Sequence, residues 1–230
     1  MCGRFTLTSD MDTILYRFSS IATPTISHRP RYNIAPSQPI LAVVNHGKQN
    51  TIQEFIWGLI PFWSKEPTPG SKIINARSET LTEKPSFKNL VSGNRCLIPA
   101  NGFFEWKLDG KIKHPYLIRL KSHQLFAFAG LWDVWHSPEG DPIYTCTIVT
   151  TEANSAIRSL HNRMPVILTP ELEQIWLDPG ITDHEVVTSM LKPYPSEELA
   201  IYKVSTLVNS PRNDSPECII PIEEDNPSED

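Results

Sequence analysis

The chain has 230 residues, 40% of them hydrophobic, with 21 basic and 26 acidic side chains and a formal net charge of −5. A chain of this length and apolar content supports a substantial core, and nothing in its composition points to disorder outside the C-terminal end. Glu217 to Asp230 carries six acidic and no basic residues, so residues 1–216 keep 21 basic and 20 acidic side chains and are nearly neutral. Nucleic acid is neither demanded nor excluded as a partner by that balance. Residues 1–216 are expected to fold as one domain, with 217–230 an acidic, disordered tail. Cys2, Cys96, Cys146 and Cys218 are far apart, with no C-x-x-C pair and no histidine at zinc-ligand spacing. They read as free thiols in a reducing compartment, Cys96 and Cys146 being buried, and no metal site is expected. No charged-plus-apolar leader and no apolar run near the ~20 residues that cross a bilayer is present, so a cytoplasmic protein with no membrane partner is expected.

The chain opens Met1-Cys2-Gly3-Arg4-Phe5-Thr6-Leu7. Loss of Met1 would put an α-amine and a thiol on one residue, a 1,2-aminothiol. With ordinary values near ~7.7–8.0 for the amine and ~8.5 for the thiol, both are nucleophiles at neutral pH. Such a terminus traps an aldehyde as an imine and closes on it as a thiazolidine; it is equally the layout of an N-terminal-nucleophile amidase. A start codon followed by an ordinary cysteine is the plainer alternative.

Ser9 or Asp10 caps a short helix whose Met11, Ile14, Leu15 and Phe18 share one face. Residues 19–39 read as loop, barred from regular structure by Pro24, Pro30, Pro36 and Pro39. Ile40–Asn45 and Thr51–Trp57 flank the His46-Gly47 turn of a hairpin. Trp57, Phe62 and Trp63 crowd a proline-interrupted segment, either as core or as a platform on which bases stack. After a turn at Pro67–Ser71, Ile73 to Thr80 is a short strand ending in polar residues. Arg95 to Trp106 is a long apolar stretch in which Glu105 is the only acid. Glu105 is either a desolvated carboxyl, raised toward the range of acid–base work, or an outward residue on an alternating strand. Asp109-Gly110 marks a hairpin to Tyr116–Leu120, and Leu125–Trp132 and Ile143–Thr151 add strands. A helix is expected over Ala153–Leu160. His161, at its end, is a solvated surface residue or a proton carrier. Thr169-Pro170-Glu171 opens one helix and the Thr182–Glu185 capping box another, before a last strand near Ile201–Ser205.

Eight or nine strands, four short helices and no βαβ alternation predict an α+β fold dominated by antiparallel, barrel-like sheet with a few flanking helices. No Gly-rich phosphate loop is present, so no nucleotide cofactor is expected.

Met1-Cys2-Gly3-Arg4, Tyr32-Asn33-Ile34-Ala35-Pro36, Trp57-Gly58-Leu59-Ile60-Pro61, Asn75-Ala76-Arg77-Ser78-Glu79-Thr80, Arg95-Cys96-Leu97-Ile98-Pro99, Gly102-Phe103-Phe104-Glu105-Trp106 and His161-Asn162-Arg163-Met164-Pro165, in that order, closely resemble the SRAP (SOS-response-associated peptidase) family. The resemblance implies a protein that shields abasic sites in single-stranded DNA by covalent attachment. It implies that Cys2 attacks the aldehyde of the ring-opened deoxyribose, that Asn75 holds the reacting terminus, and that Glu105 and His161 move protons. It further implies phosphate contacts from Arg4, Arg77 and Arg163, stacking or wedging by Trp57, Trp63 and Pro36, and Thr150 beside the sugar. No cofactor is implied. The partner would be single-stranded DNA with abasic sites, at replication forks, bound by a monomer. Two other classes stay open: a cysteine peptidase or amidase using Cys2, Glu105 and His161, and a non-catalytic single-strand-binding module.

Overall fold

The computed structural model describes residues 2–23, 26–47, 49–65 and 73–222. Met1, the turn expected at Pro67–Ser71 and the tail beyond Ile222 lie outside them. Among the described residues fourteen strands and three α-helices follow one another as β1 (Phe5–Leu7), α1 (Met11–Arg17), β2 (Ser20–Ala22), β3 (Arg31–Ile34), β4 (Pro39–Asn45), β5 (Asn50–Trp57), β6 (Asn75–Arg77), β7 (Arg95–Ala100), β8 (Gly102–Asp109), β9 (Ile112–Leu120), β10 (Phe126–His136), β11 (Pro142–Glu152), β12 (Arg163–Pro165), β13 (Ile167–Leu168), α2 (Pro170–Leu177), α3 (His184–Ser189) and β14 (Leu199–Lys203).

The apolar strands pair into two sheets. One runs β14-β9-β8-β1-β3. In the other, β11-β10-β7-β4-β5 closes on itself because β5 returns to pair with β11, Cys146 beside Trp57, making a five-stranded barrel. Closure removes the exposed strand edges that an open sheet would leave. The barrel-like antiparallel architecture expected from the sequence is the one observed.

Particular elements differ from the sequence reading. Arg95 to Trp106 is two strands, because the chain passes from the barrel (β7) to the other sheet (β8) at Asn101. The Asn101 side chain secures that corner by accepting from the backbone N–H of Thr8 at 2.8 Å and of Ser9 at 3.1 Å. Two short strands, β2 and β3, form inside the stretch expected to be loop; each borrows its hydrogen bonds from a neighbouring strand, β5 or β1, which local sequence does not reveal. Ala153–Leu160 makes a single turn held by Asn154 rather than a helix. The cap of α1 is Asp10, which accepts from Thr13 N–H at 2.8 Å, as expected.

The first half of β8, residues 102–105, is buried on both faces. Phe103 lies in the main core, while Phe104 belongs to a second cluster with Leu117, Val204, Val208 and Cys218. The segment from Leu199 to Ile222 therefore covers the outer face of the smaller sheet. The expected boundary at 216 falls short of this packing: Cys218 is fully buried and Pro221 bridges to Val204.

Candidate active site

The register of the smaller sheet assembles the site. β1 runs antiparallel to β8 with Phe5 opposite Phe103, and Phe104 N–H donates to Arg4 O at 2.9 Å. Continued along the strands, that register brings Gly3 opposite Glu105 and Cys2 opposite Trp106. Cys2 is fully buried, and its thiol points at Arg4 O, 3.9 Å away. Burial, and then the Glu105 charge, push the thiol well above its ordinary value. It is a thiol and not a standing thiolate.

β6, laid parallel to β11 inside the larger sheet, delivers Asn75 to the same place. Asn75 Nδ2 donates to Cys2 O at 2.8 Å, while its Oδ1 is buried with no hydrogen-bond partner among the described residues. An unsatisfied buried acceptor is costly, and a cationic amine beside it would satisfy it.

Glu105 is 4% exposed. Of the two sequence alternatives the buried one is realised. Burial raises its carboxyl above the ordinary glutamate value, and the charge of His161 opposes that rise. His161 Nδ1 accepts the backbone N–H of Arg163 at 2.9 Å, so a neutral imidazole here carries its hydrogen on Nε2. Glu105 and His161 line a cavity of about 480 Å³ together with Arg4, Trp106, Lys113 and Asn209. Cys2, Asn75, Glu105 and His161, far apart in the chain, are thus brought together.

The cations are placed unequally. Arg4 donates to Asn33 Oδ1 and to Val208 O, both at 2.7 Å, and its guanidinium lies 5.8 Å from the centre of the Trp106 ring. Arg77 is exposed at the end of β6. Arg163 is already engaged. It forks onto Glu79 at 2.6 and 2.9 Å and donates to Thr150 O at 2.7 Å, and this pairing holds the Glu79 carboxyl below its ordinary value.

Two expected contacts are overturned. Trp57 is fully buried, edge-on to Phe5 at 5.2 Å with its Nε1 donating to Ile74 O, and offers no face to a ligand. Thr150 is also fully buried; its oxygens orient Arg163 instead of meeting a sugar. Phe62 and Trp63 remain 61% and 55% exposed. β10 pins their turn, since Asp133 Oδ2 accepts Phe62 N–H at 2.8 Å and Trp135 Nε1 donates to Ser64 O at 2.7 Å. Pro36 is half-buried in a turn where Ser37 adopts φ 68° and donates its N–H to Trp57 O. Neither Trp63 nor Pro36 lines the cavity.

Sequence reasoning gave no role to Trp106, Lys113, Asn209 or Asn33. Trp106, next to Glu105, and Asn33, inside the Tyr32–Pro36 motif, had usable signals in their motifs, whereas Lys113 and Asn209 reach the site only through pairing and the return of the C-terminal segment.

The fold and site define a barrel-based protein that buries an N-terminal-type cysteine among a carboxyl, an imidazole and an amide, with Arg4 fixed in the same cavity. The family model described as SOS response associated peptidase (SRAP) matches residues 1–211, and the chain belongs to that family. It is 52% identical over 221 residues to the abasic site processing protein YoqW of Bacillus subtilis (strain 168), covering 95% of this chain and 99% of that one. It is 37% identical over 228 residues to the abasic site processing protein HMCES of Gallus gallus, covering 85% of this chain and 67% of that protein. A crystal structure of a protein from Bacteroides thetaiotaomicron superposes with a TM-score of 0.86 at 29% identity, covering 96% of this chain and 100% of that one.

Proposed function

We propose that this protein processes abasic sites in single-stranded DNA by forming a covalent thiazolidine through Cys2 once Met1 has been removed. The names of its relatives support abasic-site processing. The observation that carries the chemistry is the pairing of Asn75 with the Cys2 carbonyl, while the Asn75 side-chain oxygen is buried without a partner among the described residues and suits the freed amine.

The steps follow from the residues. His161, its hydrogen on Nε2, hydrogen-bonds to the sugar ring oxygen as that oxygen takes up the proton given up by the anomeric hydroxyl, and so favours the open aldehyde. The Cys2 amine, oriented by Asn75, adds to the aldehyde carbon, and Glu105 takes the proton that the amine sheds. That proton goes to the alkoxide oxygen to make the carbinolamine hydroxyl; Glu105 then passes the second N–H hydrogen to this hydroxyl, so water leaves and an imine remains. The thiol adds to the imine carbon, its hydrogen passing to nitrogen, and the ring closes; aldehyde plus aminothiol gives thiazolidine plus one water. A thiol kept protonated by burial suits this amine-first order and disfavours the amidase alternative, which needs a ready thiolate. At the imine, loss of the 3′ phosphate by β-elimination would be a lyase side reaction. Removal of Met1 by the same groups would be a peptidase activity in cis.

Arg4 and Arg77 would meet phosphates flanking the lesion, with Arg163 held by Glu79 at the margin; Trp63 and Phe62 would stack neighbouring bases. The protein would act as a monomer in a reducing, cytoplasmic setting, which its four free cysteines suit.

Intact mass of the purified protein, before and after incubation with single-stranded DNA carrying one abasic site, tests the reading. A chain lacking Met1 that gains the mass of the DNA less one water, and keeps it on a denaturing gel, is expected. Cys2→Ser should form no heat-stable adduct yet bind the DNA. A processed wild-type chain that forms no adduct sinks the cross-linking mechanism.

A further inference from the structure

We propose that Asn33 is a positioning residue that holds Arg4 in the reaction cavity without pairing it to a carboxylate, jointly with Asp214 on the segment 205–214. The inference rests on the function proposed above and deepens it. Asn33 is fully buried on β3 and is not among the cavity's lining residues. Its amide is wholly used. Oδ1 accepts from Arg4 at 2.7 Å, and Nδ2 lies 3.2, 3.0 and 2.6 Å from the carbonyls of Val208, Ser210 and Asn213. Val208 O is itself the second acceptor for Arg4. Both anchors of Arg4 are therefore under the control of one side chain.

Asp214 ties the other end of the segment to the same strand. It accepts the N–H of Tyr32 at 2.6 Å and of Asn33 at 2.9 Å, and pairs with Arg31, which also donates to Gln38 at 2.7 Å. The segment also supplies Asn209, whose Oδ1 accepts from Trp106 Nε1 at 2.7 Å and so fixes the ring against which Arg4 lies.

The two arginines of the site differ in what holds them. Arg163 is gripped by the carboxylate of Glu79, which neutralises it. Among the described residues Arg4 is gripped only by neutral oxygens, an amide and a peptide carbonyl, which fix the direction of the guanidinium and leave its charge for an anion. A carboxylate at position 33 would cancel the charge of Arg4 and, with no N–H to donate, would also release the carbonyls of Val208, Ser210 and Asn213.

The test uses the full chain and a single-stranded oligonucleotide carrying a non-reactive tetrahydrofuran abasic analogue, with binding measured against salt concentration. One phosphate contact on a single strand contributes about 0.7 to the slope of log K against log salt. Arg4→Ala should lower the slope by that amount. Asn33→Asp should lower it equally, and should change nothing further when added to Arg4→Ala, because it acts through that residue. A wild-type slope in Asn33→Asp, or additive losses in the double variant, overturns the proposal. Should Asn33→Asp fail to fold, Asp214→Asn, which keeps the Asn33 amide, carries the test; a partial loss of slope supports the proposal and an unchanged slope overturns it. An oligonucleotide with a reactive abasic site is run in parallel. If wild type forms no adduct there, the cross-linking reading fails, while the slopes still decide the role of Asn33.

Discussion

Glu105 shows how one side chain carries opposed demands. Burial raises its carboxyl, which readies it for proton transfer, but its ionised form at neutral pH then costs stability. That cost is absent below the ordinary glutamate value of about 4.3 and complete once the pH exceeds the raised value. Glu105→Gln is therefore expected to increase Tm near neutrality, with the gain shrinking toward zero as the pH falls to about 4, while cross-linking slows roughly a hundredfold. Calorimetry across pH and gel-based rates of adduct formation check the two halves, and a variant less stable at neutral pH would contradict the account. At this scale the sequence was partly legible. Glu105 was visible as an acid among large apolar residues, but alternation left its side open. Burial of both faces in the first half of β8 removed the distinction, since no face of that strand is outward at position 105. Trp57 is the converse case: the same aromatic crowding that marks a stacking platform also marks a core, and only its contact with Phe5 decides.

Elements are placed by pairing partners that local sequence does not contain. The hairpin of β4 and β5 was readable from its turn, and its register confirms it, Asn45 opposite Asn50. The break at Asn101 was not, because β7 and β8 are equally apolar and differ only in which sheet receives them. Close pairing also explains a glycine. Gly130 on β10 sits opposite Cys96 on β7, and a Cβ at position 130 would lie 2.8 Å from the Cys96 sulfur and 2.9 Å from Ile98 Cδ1. Gly130→Ala is expected to destabilise by about 1–3 kcal/mol through overpacking. Chemical denaturation that finds the variant unchanged would show that β7 yields at no cost. His161 also belongs to this scale, since its hydrogen is placed by the loop entering β12, where Arg163 N–H occupies Nδ1.

Across the whole molecule, two segments far apart in the chain meet at the site. β1 carries Cys2 and Arg4 into the smaller sheet, and the segment from Leu199 to Ile222 returns to cover that sheet and to brace Arg4 and Trp106. Ending the chain at Ser215 would expose Val204 and Val208 and remove the buried Cys218. A loss of about 2 kcal/mol, or roughly 4–8 °C of Tm in a chain of this size, is expected, with weaker DNA binding in step. A truncated chain with the Tm and affinity of the full one would show that the end of the chain braces nothing. Sequence alone indicated the antiparallel α+β class and the family and nominated Cys2, Asn75, Glu105 and His161, because composition, turn chemistry and short motifs are local properties. Tertiary structure decided which aromatics are core, which arginines pair with a carboxylate, that the packed body extends past residue 216 and what Asn33 holds. Those depend on strand register and on the return of a segment distant in the chain, and no local pattern encodes either.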